Sequence, residues 1–331
     1  MERKLVSIQT IDELAPIEGA DRIMRARVMG WDVVVKKGEF AVGDKCVFFE
    51  IDSVLPDGPA WAEFMRVRKF RVKTMRLRGV LSQGLALPVA ILAKDVPAVG
   101  TDVRDVLGVT KYEPELPSAG IAGPFPARVP KTDEIRLQSA LTVLDEIRGH
   151  CFVVTVKLDG TSVTFFVDDD GTLAACSRNW SLMRGDTREW KIAERHGLES
   201  KIPRGFAVQG ELCGPGIQKN RLGLAAVEWF VFDAYDTRAG KHLGHAELVA
   251  FCTEHGLPMV PVDRVVTGDD ARSFDHGLEH YLALAGGNYS GTSNRREGIV
   301  IRPLVPQRSP TLLGRLSFKV ISNEFLLEDE D

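Results

Sequence analysis

The sequence predicts an α+β fold in two parts: a small N-terminal β-barrel of the OB type, then a larger domain of antiparallel β-sheets with flanking helices. Three observations support this prediction. Short runs of β-branched and aromatic residues, separated by turn signals, fill residues 1–112. A proline-rich stretch then breaks all periodicity. Beyond it, six strand-like runs outnumber two helical ones and do not alternate regularly with them, which argues against a doubly wound parallel sheet.

In the first part, WDVVVKKGEF and KCVFFEIDSVL are the clearest strands, with turns at Lys37-Gly38 and Gly43-Asp44. Several short strands in so few residues suggest a Greek-key barrel, and helix is weakly signalled. The run RVRKFRVKTMRLR, from Arg66 to Arg78, carries seven basic residues and no acid. Interleaved with Phe70 and Met75, it suits phosphate contact plus base stacking. The competing reading is a basic face neutralised by acids from elsewhere in the fold.

The stretch EPELPSAGIAGPFPARVP, residues 113–130, carries five prolines and reads as an extended linker. Residues 131–331 then form the second domain. CFVVTVK, TSVTFFVD, FAVQGEL, EWFVFDAYD, GIVIRP and RLSFKVI read as strands. REWKIAERHG and GHAELVAFCTEHG read as helices, the second closed by Gly256. The acidic end, Glu328 to Asp331, reads as a solvated tail.

Composition sets wide bounds. The chain has 331 residues, 44% of them hydrophobic and 27% charged, with a net charge of −4. There is no apolar run of membrane-spanning length and no signal-peptide core at the start, so a cytoplasmic location is expected. Five scattered cysteines form no CxxC pair and read as reduced thiols; Cys176 and Cys213 read as small core residues. The pairs His242/His245 and His276/His280 have helical spacing, but no third ligand is signalled, and they read as surface residues. No GxGxxG or GxxxxGK[ST] loop is present to hold phosphate.

Chemistry concentrates in the stretch TVKLDG. Lys157 lies in an apolar run at the end of a strand, where an ammonium is costly unless it is paired or put to use. A K-x-D-G tetrapeptide alone is weak. It is followed, however, by SRN (Ser177 to Asn179), QGELCGPG (Gln209 to Gly216), FVFD (Phe230 to Asp233), EGIV (Glu297 to Val300) and SFKV (Ser317 to Val320). Most of these lie in or at the ends of predicted strands.

In order and spacing, the set resembles the covalent nucleotidyltransferase superfamily of polynucleotide ligases and capping enzymes. It is most similar to the RNA ligases, and the N-terminal module is similar to that of the Deinococcus-type branch. The resemblance implies an ATP-grasp-like nucleotidyltransferase domain. It also implies ATP and Mg²⁺ (or Mn²⁺) as cofactors, RNA or an RNA-containing nicked duplex as partner, and a monomer. Lys157 is then the catalytic nucleophile, and Asp159, Glu211 and Glu297 are the metal-binding acids. Ser162, Arg178, Glu211, Phe232, Glu297 and Lys319 join Lys157 in binding the nucleotide, with Phe232 on the adenine face and Ile299 or Val300 opposite.

The residue types suit that chemistry. A lysine amine forms a phosphoramidate labile enough to pass AMP onward, provided that the amine is neutral when it attacks. An apolar strand end and a second cation nearby are expected to depress its pKa. Magnesium takes oxygen ligands and keeps several waters, so carboxylates beside a polyanion have a purpose. Many superfamily members carry K-x-K in the last motif, whereas here the first position is Ser317. That leaves Lys319 for the α-phosphate, with Arg315 close in sequence.

The alternatives are a capping-type guanylyltransferase, and a non-catalytic nucleic-acid-binding protein in which KLDG has no chemical part. An OB-like module ahead of the catalytic motifs, rather than behind them, favours the RNA ligase.

Overall fold

The computed structural model describes residues 4–93, 95–113, 120–273 and 276–329. Its chain divides into two units: Met1–Glu115 with Leu137–Leu141 and Leu326–Asp331, and Leu116–Arg136 with Thr142–Phe325.

The first unit contains β1 (Val6–Thr10), β2 (Glu13–Pro16), β3 (Ile23–Val28), β4 (Trp31–Lys36), β5 (Lys45–Phe49), β6 (Ser53–Val54), β7 (Thr74–Leu77), β8 (Val80–Gln83), β9 (Leu85–Pro88) and β10 (Thr110–Lys111). They form small antiparallel sheets in the orders β1-β5-β9, β2-β3-β4, β7-β8 and β10-β6. Strand β5 shows how the interior is built. Successive side chains leave a strand on opposite faces, and here both faces are covered. Val47 and Phe49 enter one apolar cluster with Val6 and Ile8. Cys46 and Phe48 enter another with Trp31 and Val33. The helical turns within the described part of Met1–Glu115 are short 3-10 turns, Glu63–Arg68 and Val89–Leu92.

The basic run lies in this unit, and acids close at hand neutralise part of it. Arg66 pairs with Asp57 and Glu63, each at 2.7 Å. Arg71 pairs with Asp52 at 2.6 Å and lies 3.4 Å from the centroid of the Tyr112 ring. Arg68, Lys69, Lys73, Arg76 and Arg78 are exposed. Phe70 is half-buried against the barrel core, and the Arg66 guanidinium lies 5.4 Å from its ring centroid. The exposed apolar side chains here are Phe64 (54%) and Val67 (89%), on the 3-10 turn.

The second unit runs β11 (Ile121–Pro124), β12 (Ile135–Arg136), α1 (Val143–Ile147), β13 (Phe152–Lys157), β14 (Thr161–Val167), β15 (Leu173–Cys176), β16 (Trp180–Leu182), α2 (Arg188–His196), α3 (Leu198–Lys201) and β17 (Phe206–Cys213). It continues with β18 (Glu228–Asp236), β19 (Lys241–His242), α4 (His245–His255), β20 (Val262–Val266), α5 (Gly268–Ser273), α6 (Leu278–Ala285), β21 (Gly298–Pro303), β22 (Arg308–Ser309), β23 (Gly314–Arg315) and β24 (Phe318–Ile321), and ends in the first residues of α7 (Asn323–Asp329), whose remainder belongs to the first unit. One sheet has the order β11-β16-β15-β14-β17-β18-β19 and the other β12-β24-β21-β13-β20. Within these sheets the ladder β12–β24 is parallel and the others are antiparallel. The α+β architecture is therefore as the sequence predicts.

Of the stretch 113–130, residues 114–119 lie outside the described residues. Farther along, Ile121–Pro124 is a strand that pairs with β16. The last two residues of the acidic tail, 330–331, also lie outside the described residues. Among the described residues, no helix is long and apolar enough to cross a membrane.

The seven-stranded sheet has two unlike faces. Val163, Phe165, Val208, Leu212, Trp229 and Val231 pack against Trp190, Ile192, Leu198 and Leu248 of the helices. Phe165 meets Trp229 edge-on at 4.9 Å, a geometry worth about 0.5–1.5 kcal/mol beyond the buried area. The alternate positions, Ser162, Glu211 and Phe230, are cross-strand neighbours on the opposite face. Phe230 and Phe232 cluster there with Val156 and Leu158 from the end of β13.

Candidate active site

Lys157 is the last residue of β13, and the register sets it opposite Gly298 of β21. Two glycines let three strands close around it. A Cβ on Gly160 would come within 2.4 Å of the Leu212 carbonyl oxygen, and one on Gly298 within 2.1 Å of the Val320 carbonyl oxygen. No side chain fits at either position, so the K-x-D-G turn lies flush on β17 and the E-G turn flush on β24. Asp159, Glu211 and Glu297 are thereby drawn around one amine.

The Lys157 Nζ donates to Glu297 Oε2 at 2.6 Å, with the two side chains 22% and 18% exposed. Burial alone would lower the Lys157 pKa, but the carboxylates of Glu297, Glu211 and Asp159 outweigh it and hold the amine above its ordinary value. The sequence reading expected a depressed lysine. That expectation is corrected: among carboxylates this close, the ammonium is the favoured form.

The depressed lysine is Lys319. Burial, and then the positive charges of Lys157 and Arg136, push it down to about 8. It lies on β24 opposite Val300 on one side and Arg136 on the other. The Glu211 carboxyl is pushed up to about 7, first by burial and also by Glu297 and Asp159, against the pull of Lys157. Asp159 is flanked by Arg221, with Nε to Oδ2 at 3.4 Å. Among the described residues, no three of His, Cys, Asp and Glu are grouped as a ready-made cage for a metal ion.

The remaining candidates are spread more widely. Ser162 is half-buried, and its hydroxyl shares a hydrogen bond of 2.9 Å with Thr132. Arg178 is exposed and pairs with Asp133, a carboxylate whose charge also acts on Lys319. Phe232 is half-buried on the site face. Of the two residues offered for the other adenine face, Ile299 is fully buried and Val300 half-buried. Cys176 and Cys213 are core residues whose thiols are pushed up by burial. His242 is not a surface residue: its Nδ1 lies 2.9 Å from the buried Asp233. Arg315 is committed to the same carboxylate at 2.5 Å.

Sequence reasoning missed Arg302, Glu134, Arg136 and Tyr289. Buried Arg302 donates to the Phe232 carbonyl at 2.8 Å, to Ser317 Oγ at 3.0 Å and to Glu134 Oε1 at 2.7 Å. It thus occupies the neighbourhood of the serine that replaces the first lysine of K-x-K, and ties β18 to β21. An arginine inside the apolar run GIVIRP is the same kind of signal as Lys157 in TVKLDG, and it could have been found. Glu134 and Arg136 lie in PKTDEIRLQ, a stretch ahead of the catalytic motifs that also resembles the family but marks neither residue for a role.

This arrangement presents an amine, an acceptor for its proton, further carboxylates and a second, partly neutral lysine around one strand end. That is the equipment for covalent transfer of a phosphoryl-type group. The comparisons agree. A family model described as RNA ligase matches residues 151–321, and one described as an OB-fold domain matches residues 5–89. No curated protein matches. Among solved structures, Naegleria gruberi RNA ligase with PPi has a TM-score of 0.85 at 35% identity, covering 99% of this chain and 99% of that chain. A lysine-to-alanine mutant of that ligase with ATP and Mn also has a TM-score of 0.85 at 35% identity, over 98% of this chain and 99% of that one. A glutamate-to-alanine mutant with AMP and Mn matches with the same score, identity and coverage. The chain belongs to the RNA ligase family.

Proposed function

We propose that this RNA ligase uses ATP to join a 3′-hydroxyl to a 5′-phosphate, at nicks in an RNA-containing duplex, through lysyl-AMP and RNA-adenylate intermediates. The observation that carries the reading is the Lys157–Glu297 contact of 2.6 Å, with Glu211, Asp159 and Lys319 around the same amine. Residues 1–112 serve as the OB-like module, 113–130 as the connection and 131–331 as the catalytic domain. The protein acts as a cytoplasmic monomer.

The donor set fits a hydrated divalent cation. Three carboxylates converge on the site without forming a closed cage, and magnesium keeps several waters when bound beside phosphates. Asp159, Glu211 and Glu297 would hold Mg²⁺ or Mn²⁺ directly or through those waters. Bound there, the ion would offset phosphate charge and compete with the ammonium for the carboxylates.

In the first step Lys157 must lose the proton that Glu297 faces. Its nitrogen then bonds to the α-phosphorus as the bond to pyrophosphate breaks. Lys319 supplies positive charge at the α-phosphate as the transition state forms. In the second step an oxygen of the RNA 5′-phosphate attacks the same phosphorus, and the P–N bond breaks back to the lysine. In the third the 3′-hydroxyl attacks the adenylated end, forming the phosphodiester and expelling AMP. Ser162 and Arg178 bind the nucleotide, and Phe232 stacks on adenine.

Incubation with α-labelled ATP or GTP and Mg²⁺, followed by denaturing electrophoresis, tests the reading. The wild-type chain should take label from ATP, and Lys157→Ala should take none while still sealing a pre-adenylylated strand. Label retained by Lys157→Ala, or taken only from GTP, would overturn it.

A further inference from the structure

We propose that Tyr289 is a positioning residue for the adenylyl-transfer step, its hydroxyl locking the main chain of Lys157 to the main chain of Glu297. The inference rests on the reading of Lys157 as the nucleophile.

The ladder between β13 and β21 ends with the pair Lys157↔Gly298. Glu297 lies one residue outside that pair, yet its side chain must meet that of Lys157. The phenol of Tyr289 bridges the two main chains with one atom. Its Oη donates to the Lys157 carbonyl oxygen at 3.0 Å and accepts from the Glu297 amide at 3.1 Å. A phenol can do both at once, which neither a phenylalanine nor a carbonyl can.

The tyrosine is itself held firmly. It is 5% exposed, with its ring among Leu158, Cys213 and Val260. Its amide donates to the Asn294 carbonyl at 3.0 Å, and its carbonyl accepts from Thr292 at 3.1 Å, within a hairpin bridged at Asn288 and Arg295. Arg296 fixes the base of that hairpin, donating to the carbonyls of Gly286 at 2.8 Å and Leu284 at 2.6 Å, and to Asp263 at 2.7 Å. A rigid hairpin therefore carries the hydroxyl to the one place where two sequence-distant motifs must keep register. Misplacing reacting groups by about 1 Å can cost about a hundredfold in rate, so a lock on both backbones bears directly on transfer.

The test is Tyr289→Phe, which keeps the ring and removes one oxygen. Two measurements are made, one of which needs no activity. Hydrogen exchange of the Glu297 amide in the ligand-free chain should quicken about tenfold, the value of one hydrogen bond, while Val154 and Ile301 within the ladder keep their protection. Single-turnover adenylylation at saturating ATP should slow about tenfold or more, with the ATP concentration for half-maximal rate within about twofold of wild type. An unchanged Glu297 amide overturns the lock. A variant that melts earlier but adenylylates at the wild-type rate, or that loses only ATP affinity, overturns the positioning role. A wild-type chain that takes no label overturns the proposed function instead, and the exchange measurement still decides whether the hydroxyl joins the two strands.

Discussion

Lys319 should weaken the ligand-free fold it belongs to. Burial beside Lys157 and Arg136 moves its pKa from the ordinary 10.5 to about 8. A lysine that binds its proton less readily when folded than when unfolded makes the native state relatively less stable wherever it is charged. Between pH 8 and 10.5 the unfolded chain holds more protons than the native one, so stability rises with pH across that window; below pH 8 the full cost is present. At about 1.4 kcal/mol per decade, that cost is about 3 kcal/mol at neutral pH. Lys319→Met keeps the stem and removes the charge. It should raise the melting temperature at pH 7 by about 6–12 °C, given about 2–4 °C per kcal/mol for a domain of this size. The gain should shrink as pH approaches 10, and adenylylation should be lost throughout. Thermal melts of both proteins from pH 6.5 to 10, with labelling at each pH, make the measurement. A variant no more stable than wild type at pH 7, or parallel pH profiles for the two proteins, would refute the reasoning.

Three other outcomes are expected. Because burial lifts the Glu211 carboxyl to about 7, a metal ion must displace a proton below that pH. The half-saturating Mg²⁺ concentration for adenylylation should climb as pH falls from 7.5 to 6, and a flat profile would count against Glu211 as a ligand. Phe232→Ala should raise the ATP requirement by about 5–150-fold, corresponding to about 1–3 kcal/mol of base stacking. An unchanged requirement with a collapsed melting temperature would make Phe232 a core residue only. Neutralising Arg68 and Lys73 should flatten the salt dependence of nicked-duplex binding by roughly one unit of slope per lost phosphate contact. Neutralising Arg66 and Arg71, already paired with Asp57, Glu63 and Asp52, should leave that slope in place; the reverse pattern would exclude the exposed run as the contact.

The sequence by itself determined the α+β class, six strands of the catalytic domain (β13, β14, β17, β18, β21 and β24) and the family. EWFVFDAYD and GIVIRP coincide with β18 and β21 residue for residue, because strand formation by apolar runs bounded by turns is a local property. One helix end was legible for the same reason: Gly256 closes α4 with φ of 60°. The motif set was legible because each motif is a short contiguous stretch, most of them within or at the end of a strand, whose residue types answer to what they must hold. Tertiary structure decided what those residues are charged as, and what holds them. Lys157 meets a carboxylate 140 positions away, so the proton stays on it and the depressed pKa passes to Lys319. Arg66 and Arg71 are neutralised by acids that a basic run alone does not reveal. His242 is drawn inward by Asp233, and Tyr289 reaches back 132 positions to the nucleophile's carbonyl. Electrostatic energy and hydrogen bonding depend on distance through space, and a linear sequence carries that distance only after the strands have paired.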